Sequence, residues 1–129
     1  MSGARELGLV LDAGAFIALE RRNPVMVALA WRATERKVPL VTSAAVVAQV
    51  WRATARGAIP IGFLLKHTTV VDLRFAVARV LGRMLDRARR GDVVDAHVAF
   101  LARERGWTVL TSDPDDILAL DSTLTVERI

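Results

Sequence analysis

Short apolar runs alternate with longer amphipathic stretches along most of the chain. Gly8-Leu9-Val10-Leu11 stops at Asp12 and gives way to Ala13 through Arg21, the pattern of a buried strand entering a helix. Asn23-Pro24 starts a second helix, with Asn as cap and Pro in the first turn. This helix carries Val27, Ala30, Trp31 and Thr34 on one side and ends before Arg36-Lys37. Val38-Pro39-Leu40-Val41 reads as a second strand. Thr42-Ser43 then caps a third helix running to about Arg56 and closed by Gly57, with a further short helix from Ile61 to Lys66.

Thr69 to Leu73 reads as a third strand. From Arg74 to Arg89 the residues Phe75, Ala78, Leu81, Leu85 and Ala88 recur at helical spacing until Gly91 breaks the run. Asp92 to Arg105 is another helix, ended by Gly106. Thr108 to Thr111 is a fourth strand, Asp113 to Leu120 a short helix, and Leu124 to Val126 a final edge strand. Strands alternating with helices predict an α/β fold. It is expected to be a three-layer α/β/α stack around a mostly parallel sheet of four to five strands, in a single domain over 1–129. In such sheets ligands bind beyond the carboxyl ends of the strands, where strand order reverses. The residues just after each strand are therefore the ones that matter.

Composition narrows the chemistry available there. No cysteine is present among the 129 residues, so disulfides, thiolate nucleophiles and cysteine-ligated metals are excluded. His67 and His97 lie too far apart for a helical zinc motif. Carboxylates must supply any metal site. The start of the chain lacks the layout of a secretory signal, and the uncharged stretch from Val38 to Trp51 is too short to span a bilayer, so no membrane association and a cytoplasmic location are expected. A net charge of +4 favours anionic partners. Sixteen arginines against two lysines suit planar phosphate recognition, and the base composition of the source genome explains them equally well.

Asp12 follows the first strand, Asp113 follows the fourth within two residues, and Asp92 with Asp95 opens the helix between. Taken singly, each acid reads as a helix cap: Asp is a favoured N-cap, Asp92-x-x-Asp95 imitates a capping box, and Asp113-Pro114-Asp115-Asp116 has cap, proline and acidic first turn in order. Taken together, three separate segments bring carboxylates to one sheet edge, where their repulsion calls for a cation. Carboxylates without histidine or cysteine suit a hard divalent ion, Mg2+ or alternatively Mn2+. Such an ion can acidify a water and stabilise charge on phosphorus oxygens, which points to phosphodiester hydrolysis. A response-regulator receiver would need a lysine after a late strand, and neither Lys37 nor Lys66 is so placed. A haloacid-dehalogenase-type phosphotransferase would need an acid at position 14, which is Gly14.

The chain resembles a PIN domain, most closely a VapC-type toxin of a bacterial toxin–antitoxin pair. The segments that carry the resemblance are Leu9 to Glu20, Asp92-Val93-Val94-Asp95-Ala96-His97-Val98-Ala99, and Val109-Leu110-Thr111-Ser112-Asp113-Pro114-Asp115-Asp116. It implies Mg2+-dependent cleavage of RNA, catalytic and metal-holding roles for Asp12, Asp95 and Asp113, a homodimer, and a cognate antitoxin that blocks the cleft. Asp92 and Asp116 are expected to assist directly or through water. Where this family usually has a glutamate on the third helix, this chain has Gln49, which can orient a water but adds no charge. Weakened metal binding would leave the alternative, a non-catalytic PIN-fold module that dimerises or tethers RNA.

The remaining conspicuous residues have plainer readings. Ala45, Gln49, Arg52 and Ala53 share a helix stripe, with Arg52 read as solvated. His97 is about 200° around the helix from Asp95 and is expected to pack or face solvent. Trp31, Trp51 and Trp107 are expected in the core or at a dimer contact. Thr111 and Ser112 adjoin Asp113 and serve either as caps or as contacts to substrate or metal water. Arg87-Ala88-Arg89-Arg90 reads as a solvated helix end by default, with contact to RNA or the antitoxin as the alternative.

Overall fold

A computed structural model describes residues 7–51 and 55–129, with the side chains of 55–58 left aside. Among these residues five strands, β1 (Leu9–Leu11), β2 (Leu40–Ser43), β3 (Thr69–Val71), β4 (Thr108–Thr111) and β5 (Val126–Arg128), form one sheet in the order β3-β2-β1-β4-β5. Every pairing is parallel: Val10 sits opposite Val41 on one side and Val109 on the other. The chain builds outward from β1 to β3, then returns to the far side of β1 with β4. Strand order therefore reverses between β1 and β4, and the carboxyl ends of those two strands frame the expected ligand crevice.

Among the described residues seven helices cover the sheet: α1 (Ala13–Glu20), α2 (Pro24–Glu35), α3 (Ala44–Val50), α4 (Ala55–Lys66), α5 (Phe75–Ala88), α6 (Val93–Arg105) and α7 (Pro114–Leu120). Parallel strands covered on both faces lose the alternation of polar and apolar residues, which is why Val10, Leu11, Val109 and Leu110 are all buried. Phe16 of α1 and Leu101 of α6 join them in the core. Withdrawing such a side chain from water contributes about 2–3 kcal/mol.

Several boundaries differ from the sequence pattern. β2 begins after Pro39 rather than at Val38, because Pro39 has no N–H for a ladder and Lys37 just before is in a left-handed turn (φ 55°). The third helix ends at Val50, and α4 runs through position 57, so Gly57 does not close a helix. The expectations for Arg52 and Ala53 lie outside the described residues. β5 starts two residues later than expected. α2 buries Met26, Ala30 and Ala33, leaving Val27 and Trp31 outside. The small alanines let α2 approach α1 closely, and the bulky Trp31 is left 66% exposed rather than in the core. Trp51 is likewise exposed, while Trp107 is half-buried beneath the Arg105 guanidinium. Phe75, expected on the packed face of α5, is 80% exposed.

Candidate active site

β1 has a neighbour on each side, so its last residues are fixed from both directions. The ladder with β4 continues one residue past the strand, where Asp12 N–H donates to Leu110 C=O at 3.0 Å. The Asp12 side chain is consequently held at the crevice floor, buried, with each oxygen accepting one bond. Oδ1 takes the Ala13 N–H at 2.8 Å, and Oδ2 takes the Thr111 hydroxyl at 2.7 Å. The cap that sequence reasoning anticipated is real, but it uses only one oxygen. Burial raises the Asp12 pKa, the two hydrogen bonds oppose that rise, and the charges of Asp113 and Asp92 add to it.

Thr111 is the joint between the two strand ends. Its hydroxyl donates to Asp12 and accepts the Asp113 N–H at 3.0 Å, so it fixes a carboxylate on β1 and the backbone after β4 together. Asp113 occupies the N-cap of α7, yet its carboxylate makes no capping bond and is exposed. Its side-chain hydrogen bond is a long one, from Ser112 Oγ at 3.4 Å. Gly14 faces this loop from α1. A Cβ there would lie 2.5 Å from Ser112 Oγ and 2.6 Å from Ser112 N, so only glycine permits α1 to pack against the segment that carries Asp113.

The third contribution comes from α6. Asp92 caps it by accepting the Asp95 N–H at 2.8 Å. Asp95, in the first turn, is half-buried, and its pKa is pushed up to about 7. Burial contributes most, followed by the charges of Asp92, Asp12, Asp116 and Asp113. Asp116, in the first turn of α7, pairs with Arg90 at 2.9 Å. The structure thus brings Asp12, Asp92, Asp113 and Asp116 within electrostatic reach of Asp95, and Asp92 and Asp113 within reach of Asp12. Gln49 is not tied to them: it is exposed on α3 and makes no hydrogen bond among the described residues.

Among the described residues no three His, Asp or Glu side chains already converge as ligands to one ion. The donor chemistry nevertheless fits a hard divalent cation. The groups are carboxylates, the charges of their neighbours add to the raised pKa values of Asp12 and Asp95, and among the described residues no cation pairs with Asp12, Asp95 or Asp113.

A family model described as the PIN domain matches residues 9–121. The chain belongs to the PIN-domain family. PIN domains are in general nucleases that use divalent metal ions. No curated protein sequence matches the chain. Among solved structures, FitAB bound to the IR36 DNA fragment matches 93% of this chain and 94% of its own (TM-score 0.66, 19% identity). A protein from Pyrobaculum aerophilum matches 98% of this chain and 88% of its own (TM-score 0.66, 16% identity). FitAcB from Neisseria gonorrhoeae matches 92% and 95% (TM-score 0.65, 20% identity). These likenesses show the fold. No helix among the described residues is long and apolar enough to cross a membrane.

Two polar contacts of this PIN domain escaped the sequence. Thr111 stood out only as a neighbour of Asp113, since nothing in the spacing reveals a bond across 99 residues to Asp12. Ser43 caps α3 through the Ala45 N–H and also meets His97 Nδ1 at 2.6 Å. His97 therefore packs rather than facing solvent: it is fully buried, and its Nε2 has no hydrogen-bond partner among the described residues. Burial foremost, and then the Arg105 charge, lowers its pKa, which keeps the ring neutral. The available signal was its setting, since Ala96, Val98 and Ala99 around it are all apolar.

Proposed function

We propose that this PIN domain, taken over residues 1–129, is a Mg2+-dependent endoribonuclease that acts as the toxin of a toxin–antitoxin pair. The observation that carries the reading is the convergence of uncompensated carboxylates from three separate segments, with Asp95 raised to about 7. A helix cap needs no such crowding. In this reading Asp12, Asp95 and Asp113 hold the metal, Mg2+ or alternatively Mn2+. Asp92 and Asp116 support it through water, and Gln49 orients water from the rim. When bound, the ion supplies acidification of water and stabilisation of charge on the phosphoryl oxygens. The chain's own part is positional. Thr111 orients the Asp12 carboxylate, the α6 cap fixes Asp95, and Gly14 lets α1 seat the Asp113 loop.

An apolar groove of about 840 Å3 between α1, α2 and α4, lined by Leu19, Val27, Trp31, Ile59 and Phe63, supports a protein partner, here assigned as the antitoxin. A cytoplasmic homodimer completes the proposal.

Incubating the purified protein with labelled single-stranded RNA in Mg2+, and again in excess EDTA, tests the mechanism. Internal cuts should appear only with Mg2+ and vanish in Asp12→Asn, while undiminished cutting in EDTA would sink it. A second reading, a non-catalytic PIN module, is favoured by Gln49 standing where a glutamate would add charge. Calorimetric titration separates the two: no heat at millimolar Mg2+ selects the module.

A further inference from the structure

Six arginines, at positions 74, 79, 83, 87, 89 and 90, lie between residues 74 and 90 beside one acid, Asp86. That stretch carries a net +5, whereas the whole chain carries +4, so all other residues together net −1. The protein's positive field is therefore the property of α5 and its flanks, and this segment stops one residue short of Asp92, at the edge of the carboxylate cluster. α5 packs on α6 and α7 through Leu81, Met84, Leu85 and Ala88. Its opposite side is exposed and has its own order. Phe75, Arg79, Arg83 and Arg87 follow one another at four-residue intervals, each about 6 Å along the axis from the last. Phe75 is 80% exposed. None of Arg74, Arg79, Arg83, Arg87 or Arg89 pairs with a carboxylate among the described residues. Arg90 does, through Asp116, and so joins the row to the cluster.

Like charge argues against a second copy of the same helix covering this surface. A run of arginines headed by an exposed aromatic suits a single-stranded nucleic acid, whose phosphates meet the guanidinium groups while a base stacks on the ring. The carboxylate cluster repels a polyanion, so the grip on substrate must come from elsewhere. We propose that the row Phe75–Arg79–Arg83–Arg87, continued by Arg90, is the track that holds single-stranded RNA and leads it to the aspartate cluster. This rests on the ribonuclease reading and adds to it the surface that binds the substrate.

The test uses a fluorescein-labelled, mixed-sequence single-stranded RNA of about 20 nucleotides, in EDTA, with anisotropy recorded between about 50 and 200 mM salt. Arg79→Glu/Arg83→Glu/Arg87→Glu should weaken binding roughly a hundredfold at low salt and flatten the log K against log salt slope by about 2. Phe75→Ala should cost about tenfold with the slope unchanged. The charge-matched control Arg21→Glu/Arg32→Glu/Arg36→Glu, at exposed positions within α2 and at the ends of α1 and α2, should cost less than about threefold. Arg79→Lys/Arg83→Lys/Arg87→Lys should retain binding to within about threefold and, by circular dichroism, the fold. Equal losses in the two reversal variants would overturn the track in favour of bulk charge. Unchanged RNA affinity in the α5 reversal would overturn it in favour of an acidic protein partner. If the track variants behave as expected but wild-type protein never cuts RNA in Mg2+, the nuclease reading fails and the binding surface stands.

Discussion

Asp12 and Asp121 are buried to nearly the same degree, 6% and 8% exposed, and each ends an element beside a turn. Their surroundings push them in opposite directions. At Asp121 burial alone would raise the pKa, but the Thr123 hydroxyl, the Thr123 N–H at 3.0 Å and Arg103 at 3.4 Å outweigh it and bring the carboxyl below its ordinary value. At Asp12 burial wins over its two hydrogen bonds, and the neighbouring charges are further aspartates. An acid kept for structure is surrounded by donors and a cation. Asp12 is left short of them, as the proposed metal role requires, and that difference separates it from Asp121.

The comparison is sharpest in substitutions. Asp12→Asn and Asp95→Asn should each lower RNA cleavage by about a thousandfold or more with the fold retained, whereas Asp121→Asn should leave cleavage within about threefold. Asp121→Ala should instead cost about 2 kcal/mol of stability, read from denaturant unfolding, because the Thr123 N–H and Arg103 lose their acceptor. An inactive Asp121→Asn would erase the distinction. Gly14→Ala comes next. With Ser112 backbone in the way, it should cost about 1–3 kcal/mol and shift the Asp113 loop, lowering cleavage at least tenfold.

Asp95 gives the pH arm. Its folded pKa near 7 lies above the ordinary 3.8, so the folded state holds the proton more tightly. The stability it removes is absent at low pH, grows as pH rises from about 4 to 7, and is complete above 7. In EDTA, Asp95→Asn should therefore raise the melting temperature at pH 8 and scarcely at pH 4. After discounting for solvent screening of this half-exposed group, the gain is about 1–2 kcal/mol, or roughly 4–8 °C. A gain of equal size at both pH values would contradict the crowding. Thr111→Val should cost about 1–2 kcal/mol and weaken Mg2+ binding several-fold, by freeing the Asp12 carboxylate. Smallest of all, Gln49→Glu should raise Mg2+ affinity less than about threefold, since a carboxylate at this exposed rim position would add charge only through water; a tenfold gain would put it among the direct ligands.

Much of the layout was legible because it follows from local rules. Apolar runs ending in Asp or Ser mark strand-to-helix junctions, and Asn23-Pro24 and Gly106 punctuate helices as their backbone preferences require. The candidate acids were legible for the same reason, Asp12 and Asp113 sitting where strands end and Asp92 with Asp95 where α6 begins. What could not be read is what depends on distant partners. The outward turn of Trp31 depends on how closely two alanines seat α2, the split between α3 and α4 has no marker at Gly57, and the state of each aspartate depends on its neighbours in space. Asp113 reads as a cap, with proline and two acids behind it, yet its carboxylate caps nothing.

The hydrogen bond from Thr111 to Asp12 joins the two ends of the reaction crevice across nearly the whole length of the chain. During synthesis, the first strand and its aspartate emerge early, but β4 must arrive before the floor of the crevice exists. A growing chain thus carries Asp12 alone for most of its length, because Thr111 and the other four aspartates of the cluster all belong to the last third of the protein.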